Sequence, residues 1–253
     1  MRTEWVDAAG ARVHVRRWGP ADGRPLLFLH ALGPAASGAL IDVGVGPLAD
    51  AGWSIAAPDM PGFGRSPVIA PDGYATARLA DLAWAVADPL GWQEIVLGGH
   101  SWGGANAIHA AAARPERVRA LVLVDSGHVD YANAPGVDLT ASMDQMIEQA
   151  EQGRLRARDR AGVASDLELP IDDPVVDSFL EGVMDDGAGG LITRTRGVAR
   201  GPAMYHLARA RSTEQWPAIA AAGIPTLLLL ATEPPDLRER NEAAVARFRA
   251  AIP

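Results

Sequence analysis

One stretch decides the fold of this chain: Gly98-Gly99-His100-Ser101-Trp102-Gly103-Gly104. It follows the apolar run Ile95-Val96-Leu97, typical of a buried strand, and precedes an alanine-rich segment that predicts a helix over residues 104–113. At such a junction the pattern Gly-x-Ser-x-Gly at 99–103 predicts a nucleophile elbow, a turn so sharp that its flanking glycines have no room for a Cβ. Ser101 is therefore the candidate nucleophile, placed where a helix N-terminus favours negative charge.

The composition excludes several classes of chemistry and of partner. The chain has 253 residues, of which 48% are hydrophobic, and this suits one large domain with a substantial core. It contains no cysteine and no lysine, which excludes disulfides, thiolate nucleophiles and Schiff bases. The formal net charge of −8, without a long basic stretch, argues against nucleic acid as a partner. No apolar run reaches the roughly 20 residues of a membrane span, and the N-terminus is unlike a signal peptide, so we expect a cytoplasmic protein without membrane contact.

Short apolar runs and helical patterns alternate along most of the chain. After an N-terminal hairpin over residues 4–15, apolar runs of strand length predict buried strands at 25–29, 53–58, 95–97, 120–124 and 225–230. Apolar residues at helical spacing predict helices at 79–90, 104–113, 216–222 and 241–250. Because helices separate the strands, the sequence predicts an α/β fold with a mostly parallel sheet covered by helices.

The pattern changes from about Gly127 onwards, where acidic residues, glycines and prolines replace the apolar runs. Amphipathic helices are predicted near residues 143–150 and 175–183, with a flexible break at 185–190 and no central strand. We therefore expect an inserted helical cap over the carboxyl ends of the strands, where open α/β sheets bind ligands. The expected division is a first core part at residues 1–126, the cap at 127–206 and a second core part at 207–253.

Four segments together resemble the α/β-hydrolase family, and the resemblance runs along nearly the whole chain. They are His30-Ala31-Leu32-Gly33, Asp59-Met60-Pro61-Gly62-Phe63-Gly64-Arg65-Ser66, the stretch around Ser101, and Ile224-Pro225-Thr226-Leu227-Leu228-Leu229-Leu230. The resemblance implies a serine hydrolase that cleaves a small carboxylic ester or related acyl substrate, uncharged or hydrophobic, without a metal or organic cofactor. It also implies an oxyanion hole made by the backbone N–H groups of Trp102 and of Leu32 or Ala31.

Residues of the substrate pocket are expected from the oxyanion loop and from the cap. His30 belongs to the oxyanion loop, which such a residue usually braces. His128 follows the strand at 120–124 closely enough to lie near the site. Met143 and Met146 would form a malleable apolar wall, although such a stripe more often packs against the sheet.

The acid of the family's catalytic triad has no matching position in this sequence. The resemblance implies an acid in the loop after the strand at 225–230, and there Glu233 and Asp236 flank the usual position. Some relatives place the acid at the end of the preceding strand, where Asp125 lies. Glu233 and Asp125 are equally good candidates for the acid, and Asp125 could as well be a structural carboxylate.

The catalytic histidine presents a larger difficulty. In the family it follows an eighth strand, and this chain stops before that strand would begin. We therefore expect a fragment of a longer hydrolase that lacks the last strand and the histidine. His14 is expected to face solvent in the N-terminal hairpin, and His128 or His206 could act only with hydrogen-bond reach to Ser101.

Several alternatives remain open. Loss of the last strand would leave the apolar strand Leu227–Leu230 as an unprotected edge, so self-association through this strand is expected. A non-catalytic binding protein would keep the pocket without the base. A C–C bond hydrolase, a lactone hydrolase or a cofactor-free perhydrolase could use the same scaffold. Halide displacement is disfavoured because it needs a carboxylate nucleophile where Ser101 stands.

Overall fold

A parallel sheet with an antiparallel N-terminal hairpin forms the centre of the protein. The structure, a computed structural model, describes residues 1–133, 137–231 and 235–252, without the side chains of residues 40, 43 and 235–240. In sheet order, the described strands are β1 (Arg2–Ala8), β2 (Ala11–Trp18), β4 (Trp53–Pro58), β3 (Arg24–Leu29), β5 (Ile95–His100), β6 (Val118–Val124) and β10 (Thr226–Leu229). Strand β2 is antiparallel to both β1 and β4, and the other neighbours are parallel. The predicted mostly parallel sheet is confirmed.

Helices cover the sheet, as the apolar periodicity predicts. They are α1 (Asp42–Asp50), α2 (Thr76–Ala87), α3 (Trp102–Ala113), α4 (Met143–Gln152), α5 (Arg160–Asp166), α6 (Pro174–Leu180), α7 (Gly197–Arg209), α8 (Trp216–Ala221) and α9 (Pro235–Ala251). Helices α2 and α3 pack together, and the indole N–H of Trp84 donates a hydrogen bond of 3.0 Å to the Ala110 carbonyl. Within the described ranges, no helix is long and apolar enough to cross a membrane.

The strand interiors build the core. The strand residues Leu27, Leu29, Ile95, Leu97, Leu121 and Leu123 are fully buried. Burying one such side chain contributes about 1.5–3 kcal/mol. Because the central strands are covered on both faces, their sequences are continuous apolar runs. These runs made the strands predictable from the sequence.

Residues 127–209, called the inserted segment below, form a layer of helices with a small sheet that the sequence did not predict. The strands of this sheet are β7 (Arg156–Ala157), β9 (Leu191–Thr193) and β8 (Val183–Asp185). The expected flexible break at 185–190 is the turn between β8 and β9. The Asp186 carboxylate accepts from the N–H groups of Ala188 and Gly190, at 2.8 and 2.9 Å. The break is therefore an ordered aspartate turn.

The inserted segment contacts loops at the carboxyl ends of the core strands. A Cβ placed on Gly182 would lie 2.0 Å from the carbonyl oxygen of Ala35, in the loop after β3. The Glu181 carboxylate accepts from Arg16 at 2.9 Å and from Arg65 at 3.0 Å. The expected boundary after residue 206 falls inside α7, which continues to Arg209, because this helix packs along α4 as one unit.

His14 does not face solvent, and that expectation is wrong. Its side chain is 2% exposed, and its Nδ1 lies 2.9 Å from a carboxylate oxygen of Asp59. Asp59 also accepts from the N–H groups of Gly38 and Arg65, at 2.7 and 2.9 Å. The physical reason is that β2 lies between β1 and β4, so the hairpin is part of the sheet and not a solvated flap.

Strand β10 forms one edge of the described sheet. It pairs with β6 in parallel, and Leu228 packs against the core. Leu227 and Leu229 point the other way and are 54% and 48% exposed.

Candidate active site

Ser101 lies at the turn between β5 and α3 in a strained backbone conformation. Its φ of 50° and ψ of −116° lie in a region that residues with a side chain rarely adopt. Two hydrogen bonds fix this conformation. The Ser101 N–H donates to the Val124 carbonyl at 2.9 Å, and the Ala105 N–H donates to the Ser101 carbonyl at 3.0 Å. The strain is therefore held by β6 on one side and by the first turn of α3 on the other.

The glycines around Ser101 are required by close backbone contacts. A Cβ on Gly99 would lie 2.3 Å from the carbonyl carbon of Gly103, across the turn. A Cβ on Gly103 would lie 2.1 Å from the carbonyl oxygen of Leu29, at the end of β3. Non-bonded carbon and oxygen atoms do not approach this closely, so no larger residue fits at either position without moving the backbone. This geometry is that of a nucleophile elbow.

The hydroxyl of Ser101 contacts a tyrosine. Its Oγ lies 3.2 Å from the Oη of Tyr131, which begins a short 3₁₀ turn after β6. The residues before this turn are held by hydrogen bonds to Thr213 and Trp216, which follow α7 in the chain. The Trp216 indole N–H donates to the Gly127 carbonyl at 2.9 Å. The Asp130 carboxylate accepts from the N–H and the hydroxyl of Thr213, at 2.9 and 2.8 Å.

The phenol of Tyr131 stays protonated at neutral pH. Burial raises the pKa of Tyr131 above its ordinary value, and the Asp125 carboxylate acts in the same direction, while hydrogen bonds with Ser101 and Ser126 oppose the rise. The Ser126 hydroxyl also donates to the Ser101 carbonyl at 2.6 Å. Tyr131 can therefore donate a proton in a hydrogen bond at this site but is a poor base.

The two residues expected at the oxyanion hole lie on separate elements that meet near Ser101. Trp102 is the first residue of α3, so its N–H has no acceptor inside the helix. Its ring is 1% exposed and packs on Phe63 at a centroid distance of 5.1 Å. Leu32 follows β3 and lines a cavity described below.

His30 braces the loop after β3 through both of its ring nitrogens. Its Nδ1 donates to the Ala31 carbonyl at 2.7 Å, and its Nε2 accepts from the Met60 N–H at 2.9 Å. Burial lowers the pKa of His30, so the ring is neutral at physiological pH. The expectation that His30 lines the pocket is corrected, because both ring nitrogens are engaged and the side chain is 2% exposed.

Asp125 lies beside the elbow, at the end of β6. Its φ is 47°, and its N–H donates to the Leu229 carbonyl at 2.7 Å. Burial lowers the pKa of His100, and the negative charge of Asp125 opposes this shift. Burial raises the pKa of Tyr131, and the charge of Asp125 raises it further. Its carboxylate is thus electrostatically close to both residues. The other acid candidate, Glu233, lies outside the described residues.

In the part of the chain that the structure describes, no histidine forms a hydrogen bond with Ser101. His128 is 3% exposed, and both of its ring nitrogens are buried without a partner among these residues. His206 lies near the carboxyl end of α7 beside Pro71, and burial lowers its pKa.

A cavity of about 290 Å³ lies next to Tyr131. Its lining is mainly apolar and comes from both the core and the inserted segment: Leu32, Tyr131, Val137, Asp138, Ala141, Met146, Gln149, Arg200, Met204, Leu207 and Ala208. Tyr131 lines the cavity and contacts Ser101, so the cavity lies next to the candidate nucleophile.

Only part of the expected pocket lines this cavity. Met146 does, because α4 turns Met146 and Ala150 inward. Met143, the first residue of α4, is half-buried and His128 is buried, and neither is among the described residues that line the cavity. No group of three or more side chains that could hold a metal ion occurs in the described ranges.

The sequence analysis missed two of the polar residues that line this cavity, Tyr131 and Arg200. Tyr131 follows the end of β6 by a few residues but belongs to no motif. Arg200 is one of three arginines in residues 194–200, and nothing local distinguishes it from Arg194 or Arg196. Only the packing of α7 against the loop after β6 brings the two residues to one cavity.

Comparison with known proteins identifies the family to which this chain belongs. A family model for the α/β hydrolase fold matches residues 24–167. Lipase LipV of Mycobacterium tuberculosis is 35% identical over 176 residues, which cover 66% of this chain and 62% of the lipase. A 2-hydroxymuconate semialdehyde hydrolase of Pseudomonas putida is 37% identical over 132 residues, or 52% of this chain and 46% of that enzyme. The chain thus matches about half, and less than two thirds, of the length of these curated relatives.

Solved structures resemble the whole chain. The thioesterase domain from the curacin biosynthetic pathway superposes with a TM-score of 0.74 at 19% identity, covering 99% of both chains. E-2-(acetamidomethylene)succinate hydrolase gives a TM-score of 0.69 at 21% identity, also covering 99% of both. At these identities the similarity shows the fold alone. Because the family model spans more than half of the chain and the sheet has the same architecture, this protein belongs to the α/β hydrolase fold family.

Proposed function

We propose that this protein is a serine hydrolase that cleaves a small carboxylic ester or a related acyl substrate, with Ser101 as the nucleophile. One observation carries the proposal: Ser101 is held in a strained elbow at the start of α3, with its hydroxyl bonded to a residue that lines an apolar cavity. The relatives named as a lipase and as a 2-hydroxymuconate semialdehyde hydrolase support hydrolytic chemistry.

The proposed reaction begins with attack of Ser101 Oγ on the substrate carbonyl carbon. A carbon–oxygen bond forms, and the carbonyl electron pair moves to its oxygen. The N–H groups of Trp102 and Leu32 would stabilise this oxyanion, and the N-terminus of α3 favours the same charge. Collapse expels the alcohol, which takes up a proton, and water then releases the acid and restores Ser101.

Tyr131 supports this reaction as a hydrogen-bond donor. Its raised pKa keeps the phenol neutral, so it can orient the Ser101 oxygen and stabilise negative charge on it. The proton of Ser101 needs a separate acceptor, and the family resemblance implies a histidine oriented by Asp125 or Glu233.

A second candidate function is a binding protein that keeps the pocket without catalysis. The observation that favours it is the hydrogen bond of Ser101 to a tyrosine, with no histidine at that position among the described residues. A serine without a base retains only a residual advantage over water, about 10³–10⁴-fold in well-studied systems. Such a protein would still bind acyl compounds in the cavity.

Steady-state hydrolysis of p-nitrophenyl butyrate separates the two functions. The wild-type chain is compared with Ser101→Ala and with Ser165→Ala, a control at an exposed serine of α5. A hydrolase gives sustained turnover that disappears in Ser101→Ala alone, whereas a binding protein gives no turnover that depends on Ser101. The same variants test the alternative reactions in three further assays. Hydrolysis of a lactone tests a lactone hydrolase, cleavage of a vinylogous diketone tests a C–C bond hydrolase, and formation of a peracid tests a perhydrolase.

A further inference from the structure

Arg200 is a charged residue in the wall of the cavity beside Tyr131. It lies in the first turn of α7, on the part of the helix that packs closely on α4: a Cβ on the neighbouring Gly201 would lie 2.5 Å from the Cα of Ile147. The side chain is half-buried, and its Nε is fully buried. The packing of the two helices therefore fixes the backbone of Arg200 at the cavity wall.

Arg200 forms no ion pair among the described residues, although a terminal nitrogen lies near the carboxyl end of α4, 3.7 Å from a Cβ placed on Gly153. Its guanidinium forms no hydrogen bond with a described residue, and no described carboxylate lies within 4.0 Å of it. Burial lowers the pKa of Arg200, and no acidic neighbour opposes the shift. The nearby Glu151 is committed elsewhere, because it bonds Arg154 at 3.0 Å and the Gly197 N–H at 2.6 Å.

The more deeply buried arginines Arg16 and Arg154 are paired, whereas the half-buried Arg114 and Arg211, like Arg200, form no ion pair among the described residues. Arg16, with its side chain 3% exposed, donates to Glu181 at 2.9 Å, and Arg154 donates to Glu151 at 3.0 Å. A guanidinium remains charged at neutral pH and is costly to bury without a partner. An unpaired arginine in a cavity wall is therefore suited to an anion that comes from outside the protein.

The rest of the wall indicates what kind of anion fits. Apart from Tyr131 and Gln149, the residues around Arg200 are aliphatic or methionine, with one carboxylate, Asp138. Asp138 accepts from the N–H and hydroxyl of Thr140 at 2.8 and 2.6 Å, so its charge is satisfied locally. Its charge would repel an anion from that part of the wall. The cavity thus offers an apolar surface with one cationic position.

We propose that Arg200 binds a carboxylate carried by the substrate. The substrate class would be a monoester, or a similar acyl derivative, of an aliphatic dicarboxylic acid, with its free carboxylate paired in two parallel hydrogen bonds to the guanidinium. Its apolar chain would lie against Met146, Met204 and Leu207 while the scissile carbonyl reaches Ser101. Cleavage of this substrate by Ser101 rests on the proposed function, whereas binding of its carboxylate by Arg200 does not.

The site is tested first by binding, without turnover. In Ser101→Ala, calorimetry compares adipamate, the monoamide of hexanedioate, with the neutral diamide adipamide. Adipamate is expected to bind at least about tenfold more tightly, as suits one charge-assisted pair. Arg200→Gln should remove this preference, and Arg119→Gln should keep it, because Arg119 is exposed and pairs with Glu94 far from the cavity.

Each outcome decides the proposal. Equal affinity of the two amides for the protein with Arg200 intact overturns the carboxylate site, whatever the variants do. A preference that survives in a folded Arg200→Gln also overturns it, and Arg200→Met replaces this variant if its thermal unfolding shows that it does not fold. Asp138→Asn is expected to strengthen adipamate binding.

A kinetic comparison separates the carboxylate site from the proposed function. Mono-p-nitrophenyl adipate is expected to have a kcat/KM at least about tenfold above that of p-nitrophenyl hexanoate, and Arg200→Gln should remove the difference. Turnover without this preference contradicts the carboxylate site alone. Absence of turnover with the calorimetric preference intact contradicts the proposed function alone.

Discussion

The hydroxyl of Ser101 lies 3.2 Å from the hydroxyl of Tyr131, and the two residues reach this contact from different strands of the sheet. Ser101 directly follows β5, whereas Tyr131 follows β6, and Ser126, in the same loop as Tyr131, donates to the Ser101 carbonyl at 2.6 Å. The candidate nucleophile is therefore oriented by the loop after β6 as well as by its own turn. The consequences of this arrangement can be measured.

Removal of the Tyr131 hydroxyl is expected to slow catalysis. Tyr131→Phe leaves the ring in place and deletes the donor to Ser101, so kcat should fall about tenfold, the value of one hydrogen bond of about 1.4 kcal/mol. The matched control is Tyr205→Phe, a half-buried tyrosine of α7. Full activity of Tyr131→Phe in ester hydrolysis would show that the contact has no catalytic role.

A methyl group at Gly103 is expected to break the elbow. Gly103→Ala places a Cβ 2.1 Å from the Leu29 carbonyl oxygen, so the free energy of unfolding should fall by at least about 2 kcal/mol. The control is Gly44→Ala in α1, where no described atom lies within 4 Å of the new Cβ. This control should gain about 0.5–1 kcal/mol. Urea unfolding measures both, and equal stability of the two variants would contradict the packing described for the elbow.

The buried pair of His14 and Asp59 is expected to make stability depend on pH. Burial alone would raise the pKa of Asp59, but hydrogen bonds from His14, Arg65 and Gly38 hold it below the ordinary value. Because the folded-state pKa is the lower one, this contribution is present above the unfolded pKa of about 3.9 and is lost as pH falls towards the folded value.

Asp59→Asn should therefore cost about 2–3 kcal/mol of unfolding free energy at pH 7, and the cost should shrink below about pH 4. Urea unfolding of the wild type and of Asp59→Asn, at pH 7 and below about pH 4, measures how this cost changes with pH. Asp22→Asn, at an exposed position before β3, is the control and should change little. A cost that stays the same in acid would mean that the charge of Asp59 does not stabilise the fold.

The exposed face of β10 is expected to drive self-association between copies of this chain. Leu227 and Leu229 are 54% and 48% exposed on the edge strand of the described sheet. Replacing both by lysine should reduce association at tens of micromolar protein, because edge lysines disfavour strand pairing. Val68→Lys changes an apolar residue that is 44% exposed elsewhere and serves as control. A monodisperse wild-type monomer in light scattering would exclude this association.

The elbow and the central strands could be predicted because their signals are local. Gly99 and Gly103 flank Ser101 within five residues, and strands buried on both faces are continuous apolar runs. The small sheet at 156–193 was missed because strands of two or three residues show no periodicity. His14 was misplaced because exposure in a hairpin depends on which strands flank it, and that is a property of the whole sheet.

The rest of the site is set by tertiary packing. Tyr131 and Arg200 lie at one cavity although they are far apart in sequence, and neither belongs to a motif. His30 was correctly expected to brace its loop, but its place in the pocket depended on whether its ring nitrogens were free. Both are bonded, to Ala31 and Met60. Such partners come from separate elements, so only the folded structure identifies them.

The nucleophilicity of Ser101 is tested most directly by covalent labelling with a fluorophosphonate, followed by intact mass and peptide mapping. In this reaction a bond forms between Ser101 Oγ and phosphorus, fluoride leaves and the hydroxyl proton goes to solvent. The elbow predicts one adduct per chain, located on Ser101, absent in Ser101→Ala and retained in Ser165→Ala. An adduct on another residue, or no adduct on the folded wild-type protein, would contradict the assignment of Ser101 as the nucleophile.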